Sequence, residues 1–144
     1  MDSFCLLLQK IRERPGLFLG EKSLKTLGHF WAGYGFKEAM EIWEKSTGQN
    51  FFEHYDEAIR SDLRPEQNGR HFMDGFDQYV HSHYNCIVGA QSGTGLISEK
   101  SESEEEAFDK FFELLDEFSK LTDAQKEDIK SDMQKKVRES FEPL

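Results

Sequence analysis

Apolar residues recur along this chain of 144 residues at intervals of three and four, the spacing of one face of an α-helix. The cleanest stripe, in residues 102–120, consists of Phe108, Phe111, Phe112, Leu115 and Phe118. The same spacing predicts helices over residues 4–13, 24–45, 51–63, 72–84 and 102–120, and a last helix after Thr122. Because the length suits one domain, we expect an all-α fold, a single-domain bundle of about six helices over residues 1–144.

Several predicted helices begin at residues that can cap them. Ser23 precedes the second helix and offers a hydroxyl oxygen to its free backbone N–H groups. Three other segments have the capping-box sequence, in which the third residue after the cap returns a side-chain acceptor. They are Ser101-x-x-Glu104, Ser103-x-x-Glu106 and Thr122-x-x-Gln125.

A helix terminator and an apolar run follow the first helix. Arg14-Pro15-Gly16 ends the helix, because proline disfavours helical geometry at the residue before it. Leu17, Phe18 and Leu19 come next and are closed by Gly20. Since three exposed apolar side chains in a row are unfavourable in water, we expect this trio to lie in a loop and to pack into the core.

The predicted second helix has a narrow face of small residues. A glycine within a helix costs about 1 kcal/mol of stability relative to alanine, and close approach by a neighbouring helix is one physical reason to tolerate it. The face could instead bring copies of the chain together, as in an oligomeric adaptor protein. Its members recur at helical spacing and are Gly28, Ala32, Gly35 and Ala39.

Residues 85–98 are ambiguous, because two short apolar runs flank a glycine-rich turn. They predict either a short hairpin or a loop packed over the helices. Residues 89–95 within them look like a phosphate-binding loop. Such a loop needs Lys followed by Ser or Thr after its last glycine, whereas Leu96 and Ile97 stand there, so a turn is the favoured interpretation.

Charge excludes several classes of function. The chain holds 18 Lys and Arg against 28 Asp and Glu, a formal net charge of -10. Nucleic-acid binders need a basic face for phosphates, and no apolar run approaches the roughly 20 residues that span a bilayer. The N-terminal stretch lacks the basic region of a secretory signal. We therefore expect a cytoplasmic protein without nucleic-acid or membrane partners, in which Cys5 and Cys86 are reduced thiols.

The negative charge is concentrated in the second half of the chain. Residues 1–72 hold 10 basic and 11 acidic side chains, whereas residues 73–144 hold 8 and 17. With the phenylalanines of helix 102–120 turned inward, five acids point outward within about a quarter turn of the axis. This acidic stripe is either an ordinary solvated surface or a docking surface for a basic partner. Its members are Glu102, Glu106, Asp109, Glu113 and Glu117.

The sequence contains no complete catalytic or metal-binding set. His54 has acidic neighbours that could tune a base, but such neighbours are ordinary on an exposed helix. His81, His83 and Cys86 lack a fourth ligand, and the two imidazoles of a helical His-x-His pair point roughly 200° apart. We expect no enzyme activity, cofactor or metal. The alternative is a small hydrolase or nucleotide-binding enzyme that acts through His54 or residues 89–95.

Several segments resemble one known family. They are Arg-Pro-Gly-x-x-x-Gly at 14–20, Ser23-Leu24-x-x-Leu27, Gly33-Tyr34 and Phe108-x-x-Phe111-Phe112-x-Leu114-Leu115-x-x-Phe118. Together they look like small acidic bacterial immunity proteins of polymorphic and contact-dependent growth-inhibition toxin systems. The resemblance covers residues 4–45 and 100–120, whereas residues 89–95 replace a bulkier, tryptophan-containing stretch of the family.

The resemblance implies a protein that binds and neutralises a cognate toxin C-terminal domain. It transfers no contact residue to this chain, because immunity proteins diversify at the toxin-binding surface. The charge asymmetry indicates that the partner is basic, and an acidic protein can block a nuclease by covering its phosphate-binding groove. The acidic stripe is therefore the predicted site of partner contact.

Overall fold

The computed structural model describes residues 3–61, 73–87, 89 and 91–141. Eight helices lie in these residues: α1 (Ser3–Glu13), α2 (Pro15–Leu19), α3 (Leu24–Thr47), α4 (Tyr55–Arg60), α5 (Phe76–His83), α6 (Gly93–Lys100), α7 (Glu104–Ser119) and α8 (Asp123–Ser140). The described residues contain no strand, so the predicted all-α fold is confirmed. Six of the helices correspond to predicted ones, and α2 and α6 are additional.

Helix α7 provides much of the main hydrophobic core. One face of α7 is buried along its length, as the stripe of phenylalanines predicted. The ring of Phe111 contacts those of Trp31 in α3 and Phe76 in α5, at centroid distances of 6.4 and 5.6 Å. Ile11 of α1 and Ile97 of α6 belong to the same core and are completely buried. Four other helices thus fix the position of α7, and with it the direction of its polar face.

Helix α2 forms where a loop was expected. Pro15 occupies its first turn, where the fixed φ of proline suits a helix and the missing N–H is not needed. Leu17 is 72% exposed and Phe18 is 37% exposed, whereas Leu19 packs against the main core. The prediction that all three pack into the core is wrong, because successive helical residues point to different sides.

Helix α3 has the predicted cap, and space remains beside its small residue Gly28. The Ser23 hydroxyl oxygen accepts a hydrogen bond from the Thr26 N–H at 3.2 Å. A Cβ atom built on Gly28 would meet nothing within 4 Å outside the helix's own backbone. Gly28 borders a recess whose other walls include Thr94 and Gly95 of α6, so direct helix contact is not the reason for glycine at this position.

A second, smaller hydrophobic cluster lies between the later part of α3 and α4. Its buried members are Trp43, Phe51 and Ala58, and Met40 packs against them. The rings of Trp43 and Phe51 meet edge to face, with centroids 6.0 Å apart. These two residues connect α3 to the turn that precedes α4.

The helix predicted over residues 51–63 is shorter in the structure. Residues 51–54 form a turn, and α4 begins at Tyr55. The side-chain oxygen of Asn50 accepts the backbone N–H groups of the second and third residues after it. This local hydrogen bonding satisfies the backbone without a helix. Residues 62 and 63, and the loop predicted over 64–69, lie outside the described residues.

The helix predicted over residues 72–84 begins later, at Phe76. Gly75 precedes it with a φ of 89°, a conformation that side-chain-bearing residues rarely adopt. The helix ends at His83, close to the predicted boundary. Residue 72 lies outside the described residues.

Helix α6 replaces the hairpin or loop expected over residues 85–98. Ser92 caps it by accepting the Gly95 N–H at 3.1 Å. Leu96 and Ile97 are buried in the main core, and their burial outweighs the poor helix propensity of the two glycines in α6. The hairpin and loop interpretations are therefore wrong for residues 93–98.

Helix α8 begins with the predicted capping box. The Thr122 hydroxyl oxygen accepts the Gln125 N–H at 3.1 Å, and the Gln125 carboxamide oxygen accepts the Thr122 N–H at 2.8 Å. Met133 is buried, whereas Phe141, directly after the helix, is 83% exposed. Within the described chain, no helix has both the length and the apolar character needed to cross a bilayer.

Candidate functional site

The acidic stripe lies on the side of α7 that faces solvent. Glu106, Asp109, Glu113 and Glu117 are exposed and lie opposite the buried phenylalanines, and Glu102 is exposed just before the helix. The arrangement follows from the helical period, because residues three and four apart share a face. The structure thus places all five predicted residues along one surface.

The N-terminal end of the stripe is fixed by capping. The Ser103 hydroxyl oxygen accepts the Glu106 N–H at 3.1 Å. The Glu106 carboxylate accepts the Glu102 N–H at 3.2 Å. In contrast, the Ser101 hydroxyl donates to the Ile97 carbonyl of α6, so the capping box predicted at Ser101 does not form. Acids in this first turn also interact favourably with the helix dipole.

Basic residues from distant parts of the chain lie along one edge of the stripe. The Lys22 ammonium group is 2.8 Å from Asp109 and 4.0 Å from Glu105. Arg12 of α1 lies 2.8 Å from the carboxylate of Asp116. These ion pairs partly neutralise α7 and join it to α1 and to the turn before α3. The sequence pattern did not reveal them, since nothing in the spacing indicates which distant cation meets which acid.

The other edge of the stripe is bordered by Lys110 and Tyr79. Lys110 lies 3.2 Å from the Glu113 carboxylate. The Tyr79 hydroxyl of α5 donates a hydrogen bond of 2.9 Å to Glu117. Partial burial, followed by this hydrogen bond and the negative charge of Glu117, raises the pKa of Tyr79 to about 12. Tyr79 is thus a neutral donor that holds the Glu117 carboxylate in place at neutral pH.

The exposed face of α7 keeps an excess of negative charge after these pairings. Seven carboxylates lie on or beside the stripe, and three basic side chains form ion pairs with members of this set. The carboxylates belong to Glu102, Glu105, Glu106, Asp109, Glu113, Asp116 and Glu117, and the cations are Arg12, Lys22 and Lys110. The face can therefore attract further positive charge.

A recess of about 400 Å³ opens beside the stripe. Three acids, Glu106, Asp109 and Glu113, line it together with two lysines, Lys100 and Lys110. His83 and Tyr84 form part of its other walls. Burial is the main cause that raises the pKa of Tyr84; Lys110 lowers it, and Glu113 and Glu106 raise it. The recess is large enough for one long side chain, and its lining carries three carboxylates against two lysines.

His54 and residues 89–95, the candidates for the alternative enzyme function, both contact other parts of the fold. The His54 ring lies against the indole of Trp43, with centroids 6.2 Å apart. In residues 89–95, the Gly93 N–H donates to the Asp77 carboxylate at 3.0 Å. An acid therefore occupies the position where a phosphate-binding loop would hold an anion.

The three residues considered for metal binding are not arranged around one point. His81 is buried, and its Nδ1 atom donates to the Asp77 carbonyl at 2.7 Å. His83 is exposed and meets the Tyr84 ring edge to face, and the Cys86 thiol donates to the Tyr84 carbonyl. Among the described residues, no group of three or more His, Cys, Asp or Glu is placed to hold a metal ion.

Comparison of the chain with protein-family models, with curated proteins and with solved structures finds no match.

Proposed function

We propose that this protein is an immunity protein that binds and neutralises a basic toxin domain through the exposed face of α7. The single observation that carries the proposal is the surplus of carboxylates on this face after its internal ion pairs are formed. Excess negative charge on a helix whose position is fixed by packing attracts a basic surface and favours it over neutral or acidic ones. The resemblance of residues 4–45 and 100–120 to immunity proteins favours the same function.

The recess beside the stripe gives the proposed interface a point of specific contact. A lysine or arginine of the toxin domain would insert beside Glu106, Asp109 and Glu113, which line it. Lys100 and Lys110 also line the recess and would turn towards solvent to admit that side chain. Charge-assisted hydrogen bonds to several carboxylates would then hold that side chain. The surrounding acids speed association, and the recess determines which basic surface fits.

The toxin domain would be inhibited because the immunity protein covers its substrate groove. If the toxin domain is a nuclease, its substrate groove is basic, because it must bind phosphates. The row of carboxylates on α7 would occupy that groove and exclude the nucleic acid. The immunity protein itself needs no catalytic residue or cofactor for this mechanism.

The direct test first asks whether the gene immediately upstream encodes a large secreted protein with a basic C-terminal domain, and then uses that domain as the binding partner. Binding to the wild type is compared with binding to a variant in which all five stripe residues become lysine. We expect association to slow by at least about tenfold and its salt dependence to flatten, since electrostatic steering is lost. Protection of growing cells from that toxin domain should be lost in parallel.

A matched control carries the same change in net charge on a different helix. Five exposed acids of α8 are replaced by lysine in this control, and binding should remain much closer to the wild-type rate. The control residues are Asp123, Glu127, Asp128, Asp132 and Glu139. Unchanged binding and protection after reversal of the stripe would show that the surface is wrong. Failure of the wild type to bind the toxin domain would show that the function is wrong.

A further inference from the structure

A second unusual surface lies around the turn before α4. Four large apolar side chains are exposed there: Phe36 is 47% exposed, Phe52 65%, Tyr55 46% and Ile59 53%. We call these four residues the aromatic patch. They contrast with the phenylalanines of α7, four of which are at most 1% exposed.

The aromatic patch is contiguous, because three of its members meet at one buried ring. The centroid of Phe51 lies 5.5 Å from that of Phe36, 5.3 Å from Phe52 and 5.8 Å from Tyr55. All three contacts are edge to face, a favourable geometry for aromatic pairs. Ile59 follows Tyr55 by one helical turn and so lies on the same side of α4. The exposed rings therefore form one surface rather than scattered side chains.

Two buried aromatic rings, those of Phe51 and Trp43, lie beneath the aromatic patch. Phe51 is 5% exposed and packs edge to face on Trp43, which is 3% exposed. Rings that are already held by packing lose little conformational freedom when a partner binds. Exposed aromatic side chains of this kind dominate the energy of protein interfaces. A cluster of them on a chain of this size marks an interaction site.

Acidic residues are interspersed with the aromatic patch along the chain. Between residues 36 and 60 the chain carries six acids and three basic residues. Glu53, Asp56 and Glu57 are exposed and lie among the patch residues in sequence. Lys37 is paired with Glu41 at 3.3 Å, and five acids and two basic residues of the segment stand outside this pair. A second copy of this chain would bring like charges together at the rim, which disfavours self-association.

We infer that the aromatic patch docks a protein segment whose apolar side chains are flanked by lysine or arginine, such as one face of a basic amphipathic helix. The apolar side chains would cover Phe36, Phe52 and Tyr55, and the flanking cations would meet Glu53, Asp56 and Glu57. This inference rests on a different surface from the acidic stripe of α7 and does not depend on the toxin partner.

The experiment uses a defined probe, a tryptophan-free amphipathic peptide of leucine and lysine about 18 residues long, enough for a helix. Binding is followed by calorimetry and by tryptophan fluorescence in a Trp31→Phe background, in which Trp43 under the patch is the remaining tryptophan. A peptide with the same leucine pattern and glutamate in place of lysine is the charge control. We expect the lysine peptide to bind and the glutamate peptide not to bind.

Paired variants distinguish binding at the aromatic patch from non-specific binding to exposed apolar residues. Phe52→Ser and Ile59→Ser should each weaken binding of the lysine peptide by at least about fivefold, and together by more than about tenfold. Leu17→Ser and Phe141→Ser change equally exposed apolar residues elsewhere and should leave affinity within about twofold. All four residues are exposed, so the fold should survive, as circular dichroism would verify. The five-lysine variant of α7 serves as a further comparison and should retain binding at the patch.

Three results would overturn the inference. The first is a lysine peptide that does not bind the wild type. The second is binding that is weakened equally by the patch variants and by Leu17→Ser and Phe141→Ser. The third is concentration-dependent dimerisation, seen by sedimentation, that Phe52→Ser abolishes, since the occupant would then be a second copy. None of these results depends on whether the toxin domain binds α7, so failure here is distinguishable from failure of the proposed immunity function.

Discussion

The ammonium nitrogen of Lys22 lies 2.8 Å from the carboxylate of Asp109, a residue 87 positions further along the chain. The pair joins the turn between α2 and α3 to the middle of α7. It also uses one of the five acids of the stripe in an internal contact. The negative field of α7 is therefore set partly by residues outside the helix, and it can be changed without altering the stripe itself.

Replacement of Lys22 by methionine should make the α7 face more negative at little cost to the fold. Because the pair is exposed, the free energy of unfolding should fall by less than about 1 kcal/mol in urea denaturation. Association with a basic partner should become faster and more salt-dependent. Lys37→Met breaks another exposed pair, with Glu41, and should leave association unchanged. A Lys22→Met variant that binds more slowly would contradict this prediction.

Truncation of Phe111 should test the role of α7 in the core. This side chain is completely buried and contacts Trp31, Phe76 and Phe112. Phe111→Ala should lower the free energy of unfolding by about 3–5 kcal/mol, through lost burial and the cavity left behind. Phe141→Ala should change it by less than about 0.5 kcal/mol, because Phe141 is 83% exposed. Similar denaturation midpoints for the two variants would contradict the packing described here.

Replacement by alanine should raise the stability of the protein at Gly28 and lower it at Gly20. Gly28 is helical and has open space around a built Cβ atom, so Gly28→Ala should raise stability by about 0.5–1 kcal/mol. Gly20 has a φ of 79°, so Gly20→Ala should lower stability by about 1 kcal/mol. Thermal unfolding of the two variants gives the comparison. Destabilisation by Gly28→Ala would indicate that another helix does approach this face.

The hydrogen bond from Tyr79 to Glu117 should make stability depend on alkaline pH. The pKa of Tyr79 is raised from 10.0 to about 12, chiefly by burial and then by Glu117. Between these values the folded protein retains a proton that the unfolded chain releases. The stabilisation is therefore complete below pH 10.0 and is lost as the pH rises towards about 12.

The control for this prediction is Tyr79→Phe, which removes both the hydroxyl group and its titration. Tyrosinate absorbance should show one late-titrating group in the wild type that is missing from the variant. The difference in unfolding free energy between the two proteins should shrink across the same pH range. A difference that stays constant up to pH 12 would mean that the Tyr79 pKa is not raised.

The sequence predicted a feature correctly where residues within one or two helical turns of each other form it. Thr122 and Gln125 cap α8 as the sequence predicted, since both halves of the box lie within one turn. Ser103 caps α7, but the Glu106 carboxylate accepts the N–H of Glu102 instead of that of Ser103, so only half of the predicted box forms. Ser101 bonds to Ile97 instead, because α6 directly precedes it. The spacing of apolar residues likewise identified the buried face of α7. From that face, the exposure of the acidic stripe followed by geometry.

Predictions failed where packing against distant residues decides the outcome. Residues 93–98 carry two glycines and appeared turn-like, but Leu96 and Ile97 are buried in the main core, which stabilises a helix there. Phe52, Tyr55 and Ile59 have helical spacing, yet they are 65%, 46% and 53% exposed. Periodicity shows which residues share a face, but it does not show whether another element is present to bury that face.

The sequence by itself determined that this protein is helical, which face of each long helix is apolar, and where its acids concentrate. These properties depend on the helical period and on charge, both of which are local. Only the tertiary structure decided that Lys22, Arg12 and Tyr79 border the acidic stripe and that an aromatic patch stays exposed beside α4. Those features arise from contacts between residues far apart in the chain, and such contacts depend on how the helices pack.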